Sequence, residues 1–480
     1  MALFIRVRPY FSLILSASYM ICSGRHQPEI TSLPPIVMVI LLLCLCAFPY
    51  QSSAAGKATS HKKITIMCYM NGDNNLTHEV LHAVDMMETV GSSANLNILA
   101  LVDGGVDATQ FYGEGWDRTK FLYITQDDRI GAINSPVLAD MGEQDLGDPQ
   151  TLHNFIKACL KFPAERYIFC MFAHGRGIID TDILQMPGKV KSLYISPDDT
   201  SRTVMSQPEF HDAVKSALSG SVFDVMIFFS CLTNMVEIGY SLQDLTRYMI
   251  ASEDEIRIVN DPPGRFQIRG IKFEEIFKQL QVNPSLPAPE LGKIAVNSFV
   301  AQYNEPVAVP VGTSGSIFKR FAGGLSVVDC RHYPRLAALL NELAEHVTAQ
   351  LREAATGETI LSALRRASSA SQRYASFLNQ EYYDLRNFLE NLAIETTDGR
   401  TKRLCQRAGE VLTGQLITYE RHTAGSDSNG ISIYLSNVHL PENVYQAHQQ
   451  LYRRCRFSKE TAWDEMIESS RMRLKYGSKP

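Results

Sequence analysis

The chain has little of what marks several protein classes. No Cys-x-x-Cys pair occurs in its 480 residues, which excludes a zinc ribbon and argues against a dense disulfide framework. No basic block stands out, and a formal net charge of −5 gives a nucleic acid no electrostatic reason to bind. Internal repeats, low-complexity tracts and calcium-loop motifs are absent. Long apolar runs are scarce too. The most apolar stretch, IVMVILLLCLCAF at 36–48, is too short for a comfortable membrane span. What remains is an ordinary globular composition, 45% hydrophobic and 20% charged, ample for a large core.

The small residues Ser53-Ala54-Ala55 follow the apolar stretch. This order reads as a signal peptide over residues 1–55, with an anchor that is not removed as the alternative. Leu precedes both Cys44 and Cys46, where a lipidation site needs a small residue. The expected location is therefore secreted or periplasmic, with membrane contact only through an uncleaved N-terminus. Beyond that segment stand Cys68, Cys159, Cys170, Cys231, Cys330, Cys405 and Cys455. Their odd number leaves at least one free thiol.

Two apolar runs dominate the rest: FDVMIFFSC at 223–231 and RYIFCMFAHG at 166–175. Such runs read as strands buried on both faces, typical of parallel sheets covered by helices. Strands are also expected at 62–70, 97–102, 121–125, 247–252, 325–330 and 429–436. Between them lie helical patterns, among them 149–160, the Ser-capped SQPEFHDAVKSAL from 206, 334–355 and 361–395. The alternation predicts an α/β fold: a mostly parallel sheet flanked by helices. The α/β core is expected over 56–272. A helix-rich region, 273–480, returns strands to it. Residues 176–203 contain no strong element and read as a long loop.

One strand ends in His174-Gly175 and the other in Ser230-Cys231. Ligands of open α/β sheets bind at the carboxyl ends of strands. A thiol and an imidazole there can hydrolyse peptides: Cys231 as nucleophile, His174 as acid and base, and the amides of Gly175 and Cys231 as an oxyanion hole. The helical pattern after Cys231 predicts a helix start at that residue, which would lower the thiol pKa. The competing reading keeps both as ordinary residues, since a buried Cys is usually a small hydrophobe. A different chemistry is written in His78-Glu79-Val80-Leu81-His82, the H-E-x-x-H pattern of zinc hydrolases. No further ligand stands at the usual distance.

The chain resembles the clostripain family of cysteine peptidases, in the clan that also holds caspases, legumains and gingipains. The matching segments are IMCYMNGDNNL, DMMETVGSSANLNILALVD, RYIFCMFAHGRG, FFSCLTNMVEIGYSL, YMIASED, GLSVVDC and NGISIYLS. They run in the family's order across residues 62–436. The resemblance implies a caspase–hemoglobinase fold, a dyad of His174 and Cys231 without a third residue, and protein or peptide substrates.

It also marks departures. An Asp typically stands two residues before the family's Cys, where it helps bind a basic P1 side chain; here that residue is Phe229. The acid before His-Gly is replaced by Ala173. An apolar or small P1 residue is the expectation if Phe229 faces the pocket. Asp254 and Asp261 remain as sources of counter-charge, or as solvated loop acids. Family members are often activated by cleavage between His and Cys, and Lys189, Lys191 and Arg202 are candidate sites. Some members need calcium, for which Asp198 with Asp199, or Asp180 with Asp182, can offer oxygens; no other cofactor is expected. A catalytically silent peptide-binding protein on the same fold is the alternative.

Overall fold

The computed structural model describes residues 61–105, 108–178, 195–257, 269–311, 315–374, 382–436 and 440–477. The 1–55 segment lies outside them. No helix of the described residues is long and apolar enough to cross a membrane. Thr59–Pro480 forms one compact unit.

The strands in chain order are β1 (Lys62–Gly72), β2 (Leu96–Gly104), β3 (Thr119–Tyr123), β4 (Val137–Gly142), β5 (Ala164–Phe172), β6 (Ile195–Asp198), β7 (Thr203–Met205), β8 (Phe223–Phe229), β9 (Thr246–Ala251), β10 (Val307–Val311), β11 (Gly315–Lys319), β12 (Gly324–Asp329), β13 (Arg373–Tyr374), β14 (Tyr382–Asp384), β15 (Ile417–His422) and β16 (Ser432–Tyr434). Nine of them form one sheet, in the order β15-β12-β9-β8-β5-β1-β2-β3-β4. Its centre, β9-β8-β5-β1-β2, is wholly parallel. Antiparallel strands close both edges. This is the expected α/β fold.

The apolar runs are explained by the two layers they serve. Successive side chains of a strand point to opposite faces. Phe169, Met171, Met226 and Phe228 enter one core. Ile168, Cys170, Phe172, Val225, Ile227 and Phe229 enter the other. The second face is covered by α1 (Thr77–Glu88), α5 (Phe273–Val282) and α6 (Ala288–Asn304). The first is covered by α2 (Pro149–Cys159), α3 (Gln207–Leu218), α4 (Val236–Leu242) and a helical layer from the C-terminal part. That layer contains α7 (Tyr333–Arg352), α8 (Gly357–Ala370), α9 (Leu385–Glu395), α10 (Gly399–Val411), α11 (Glu442–Tyr452) and α12 (Trp463–Tyr476).

Three details differ from the sequence reading. The 176–203 loop ends in a hairpin, β6 with β7. The helix expected at 361–395 is interrupted: α8 stops at Ala370, where Ser371 turns its hydroxyl back onto the Ala367 carbonyl (2.7 Å). The chain then forms β13 and β14 before α9. The late strand β16 joins these two in a small side sheet, and it is β12 and β15 that return to the main one.

Candidate active site

Strands β5 and β8 are parallel neighbours with Phe172 opposite Phe229. The pairing continues beyond them, with the Ala173 amide donating to the Phe229 carbonyl (3.3 Å). The register thus carries His174 and Cys231 to the same sheet end, one after each strand. Gly175 follows at a point of close approach. A Cβ there would lie 2.4 Å from the Cys231 carbonyl oxygen and 2.2 Å from Ser230 Oγ. Only glycine lets this backbone lie against the Cys231 peptide.

Each of the two candidate side chains is engaged by other neighbours. His174 Nε2 meets Asn75 Oδ1 at 2.6 Å. An amide oxygen accepts, so Nε2 carries the proton of the neutral ring and Nδ1 is left as the base. Burial, with help from the Arg176 charge, pushes the His174 pKa down to about 4. Cys231 Sγ faces the backbone of Ile256, accepting from its amide at 3.2 Å and lying 3.7 Å from its carbonyl oxygen. Among the described residues, no hydrogen bond joins the thiol to the imidazole.

The helix expected to open at Cys231 begins only at Val236. Residues 232–234 instead run beside the chain that follows β9. The Leu232 amide donates to the Asp254 carbonyl and that of Asn234 to the Ser252 carbonyl. Leu232, directly after Cys231, takes a left-handed φ of 54°, a strained choice for a residue with a side chain. Without a helix dipole the thiol pKa is not lowered. Burial pushes it up to about 11, and the charges of Glu255 and Asp254 add to the rise against the Ile256 amide. At neutral pH the resting pair is a thiol and a neutral imidazole.

The other predicted residues fall in different places. Phe229 is 4% exposed and points into the core. It stacks on Phe172 at 4.0 Å and abuts Phe273, and Gly270 is so close that a Cβ would lie 2.1 Å from its ring. Ala173 is buried in the opposite core. Asp254 is half-buried beside the thiol. Its Oδ1 accepts the Glu255 amide at 2.7 Å, and burial raises its pKa to about 6. Asp261, Lys189, Lys191, Asp180 and Asp182 lie outside the described residues. Arg202 is exposed in the β6–β7 turn. His78 and His82 stack on α1 with ring centroids 6.4 Å apart, and among the described residues no third ligand joins them.

Sequence reasoning missed three contributors. Asn75 holds the His174 ring; its neighbour Asn74 makes a local turn, accepting the Leu76 amide at 2.9 Å, while α1 starts at Thr77. Tyr382, over two hundred positions away in sequence, donates its hydroxyl to the Arg176 carbonyl (2.9 Å) and packs on Gly177. Tyr303 of α6 donates to the Arg257 carbonyl (2.8 Å) and so steadies the segment that faces the thiol. None of these contacts follows a local spacing that a sequence displays.

The chain is similar to known proteins in both sequence and fold. It is 26% identical to clostripain of Hathewaya histolytica over 213 residues, a match that spans 40% of this chain and 38% of that relative's length. A secreted cysteine protease from Bacteroides thetaiotaomicron, solved with an irreversible peptide inhibitor, superposes with a TM-score of 0.56 at 17% identity, over 85% of this chain and 99% of that one. An inactive zymogen protease from Parabacteroides distasonis gives 0.56 at 17% identity, over 84% and 99%. At these identities the two structures speak for the fold alone. The profile of the clostripain family matches residues 68–469, most of the sequence, and the chain belongs to that family.

Proposed function

We propose that the chain is an extracytoplasmic cysteine endopeptidase acting through Cys231 and His174. The observation that carries this is the in-register delivery of both residues by adjacent parallel strands, with the Gly175 backbone against Cys231. As substrate enters, the imidazole leaves Asn75 or turns about it, and Nδ1 takes the thiol proton. The sulfur attacks the scissile carbonyl carbon, and the amides of Gly175 and Cys231 receive the oxyanion. His174 then protonates the leaving amine as the C–N bond breaks, which leaves a thioester. Water, deprotonated by His174, attacks that thioester; the carboxylic acid leaves and the thiol regains its proton.

Cys231→Ala or prior treatment with iodoacetamide should abolish peptide hydrolysis, while a chelator with Cys231 intact should not inactivate by removing zinc. If Cys231→Ala hydrolyses as fast as the parent chain, the thiol mechanism fails. Silence of the parent chain across a broad peptide screen would favour a peptide-binding role on the same fold.

For P1 we propose an apolar or small residue. The position that carries an Asp in relatives holds a Phe stacked into the core, and Asp254 is engaged with the Glu255 amide, its pKa raised by burial to about 6. A peptide library scored by P1 residue checks this; a preference of tenfold or more for Arg or Lys sinks it. Export is supported by the 36–48 apolar stretch with its small-residue site. N-terminal sequencing of the mature protein should then begin at residue 56.

A further inference from the structure

The C-terminal helical layer holds a cavity of about 200 Å³ that no step of the proposed reaction uses. It lies between α8, α9 and α12, and the small sheet of β13, β14 and β16 borders it. Its floor and its mouth differ in chemistry. Leu361, Leu364, Phe388 and Ile467 line it and are at most 8% exposed. Arg365 and Arg373 line it and are exposed. Apolar surface thus lies inside, and positive charge at the mouth.

That charge has no counterpart. Among the described residues no acid lines the cavity, and neither guanidinium has an ion pair or a hydrogen bond. Arg366, next along α8, shows the ordinary arrangement: it pairs with Glu395. Ser436 adds a second unmet demand. Its hydroxyl oxygen lines the same cavity, is shut off from solvent and has no partner among the described residues, although buried hydroxyls normally find one. Size narrows what can enter. A cavity of about 150 Å³ lined by Leu, Ile and Phe holds benzene, so this one takes a single ring, or a branched chain of like bulk, with a short tail. The apolar body gains from the floor. A carboxylate on its tail gains charge-assisted hydrogen bonds from planar guanidinium forks at the mouth.

The cavity also touches the strand that secures the loop after His174. Tyr383 of β14 lines it. Side chains alternate along a strand, and Tyr382 accordingly enters the first core and donates to the Arg176 carbonyl. β14 has three residues and pairs with β13, where Arg373 stands opposite Tyr383. An occupant that binds Arg373 and packs on Tyr383 spans both strands of this short ladder. We propose that the cavity binds one small carboxylate with an apolar body, and that this occupant stiffens β13 and β14 and, through Tyr382, the segment that follows His174.

The test titrates the whole chain with 3-phenylpropionate and, separately, with its uncharged amide. Calorimetry and hydrogen exchange are the readouts. The carboxylate is expected to bind once per chain with a Kd of about 1 mM or tighter, given its small size. The amide should bind at least tenfold more weakly. Arg365→Gln and Arg373→Gln should each weaken the carboxylate several-fold. Both residues are exposed and unpaired, so these variants keep the fold. Arg366→Gln, beside them but committed to Glu395, should leave its affinity unchanged. With ligand at ten times Kd, exchange of the Asp384 amide, which bonds to the Gln372 carbonyl, should slow about tenfold. Exchange over 175–178 should slow as well in the parent chain, and not in Tyr382→Phe. No saturable binding up to about 10 mM, equal affinity for the amide, or equal losses in all three arginine variants overturns the site. A peptide ending in Phe that binds tenfold tighter than 3-phenylpropionate overturns the assignment to a small free acid. Unchanged exchange over 175–178 in the ligand-bound parent overturns the link through β14. No readout requires peptide hydrolysis, so this site stands or falls apart from the proposed reaction.

Discussion

His174 and Cys231 are poised by third parties: Asn75 for the ring and Ile256 for the thiol. In the proposed reaction Asn75 is a positioning residue. Asn75→Ala is expected to lower kcat about tenfold, the worth of roughly one hydrogen bond, and to leave KM nearly unchanged; equal loss in KM would mean that Asn75 contacts substrate instead. The pH profile carries a sharper signature. His174 is held below its usual pKa first by burial and then by Arg176, so it stays neutral far into acid. The acid limb of kcat/KM should lie well below 6.5, near 4. Removing the neighbouring positive charge makes protonation easier, so Arg176→Gln should move that limb upward, though only in part because burial remains. An acid limb at an ordinary imidazole pKa, unmoved by Arg176→Gln, would contradict the buried, charge-tuned ring. The two candidate residues stood out in the sequence because each ends an apolar run. Asn75 did not, because its role depends on a fold that brings together residues 99 positions apart. The state of the thiol was misjudged for a local reason: the helical pattern after Cys231 is real, but hydrogen bonds to Ser252 and Asp254 hold residues 232–234, with Leu232 left-handed, beside the chain that follows β9 before the helix can start.

Elements were readable where pattern and punctuation agree. The parallel strands announce themselves because both faces are buried, which permits no polar alternation. Helix α3 is written twice, in its apolar spacing and in its start signal. Ser206 accepts the Glu209 amide (3.4 Å), Glu209 returns a carboxylate to the Ser206 amide (2.9 Å), and a proline sits in the first turn. Ser206→Ala is expected to cost about 1 kcal/mol. Urea unfolding would register this as a lower midpoint at constant slope; a midpoint equal to that of the parent would mean the cap is idle. Edge elements were harder. β15 reads ITYERH and is largely half-buried or exposed, so its side chains lack the apolar signature of the centre. It is a strand because β12 offers it a ladder. The break at Ser371 was hidden in a polar stretch whose letters suit a helix surface as well as a turn.

The C-terminal half is bound to the N-terminal half in a way that no composition shift marks. β12 pairs with β9, Val327 opposite Ile250, and so covers what would be an exposed edge of the parallel centre. Phe273 of α5 packs on Phe229 under the site. Asn234, three residues after the thiol, donates its side-chain amide to the Gly430 carbonyl (2.6 Å), and its own carbonyl accepts the Ser432 amide (3.0 Å). A chain ending at residue 272 would lose the cover of β9, part of the helical cover on both faces of the sheet and these clamps together. It should therefore be insoluble or lack a cooperative transition, while the longer chain unfolds in a single step. Two resolved transitions in the whole chain, or a folded 56–272 fragment, would contradict this coupling. A milder lesion separates stability from activity. Tyr382→Phe keeps the ring against Gly177 and removes only the hydroxyl from the Arg176 carbonyl. Its expected cost is about 1 kcal/mol of stability, yet the loop it releases carries His174 and the Gly175 amide. Hydrolysis should fall by more than the loss of folded protein explains, with the deficit in kcat. If activity instead follows the folded fraction alone, the C-terminal clamp supports the fold without shaping the site.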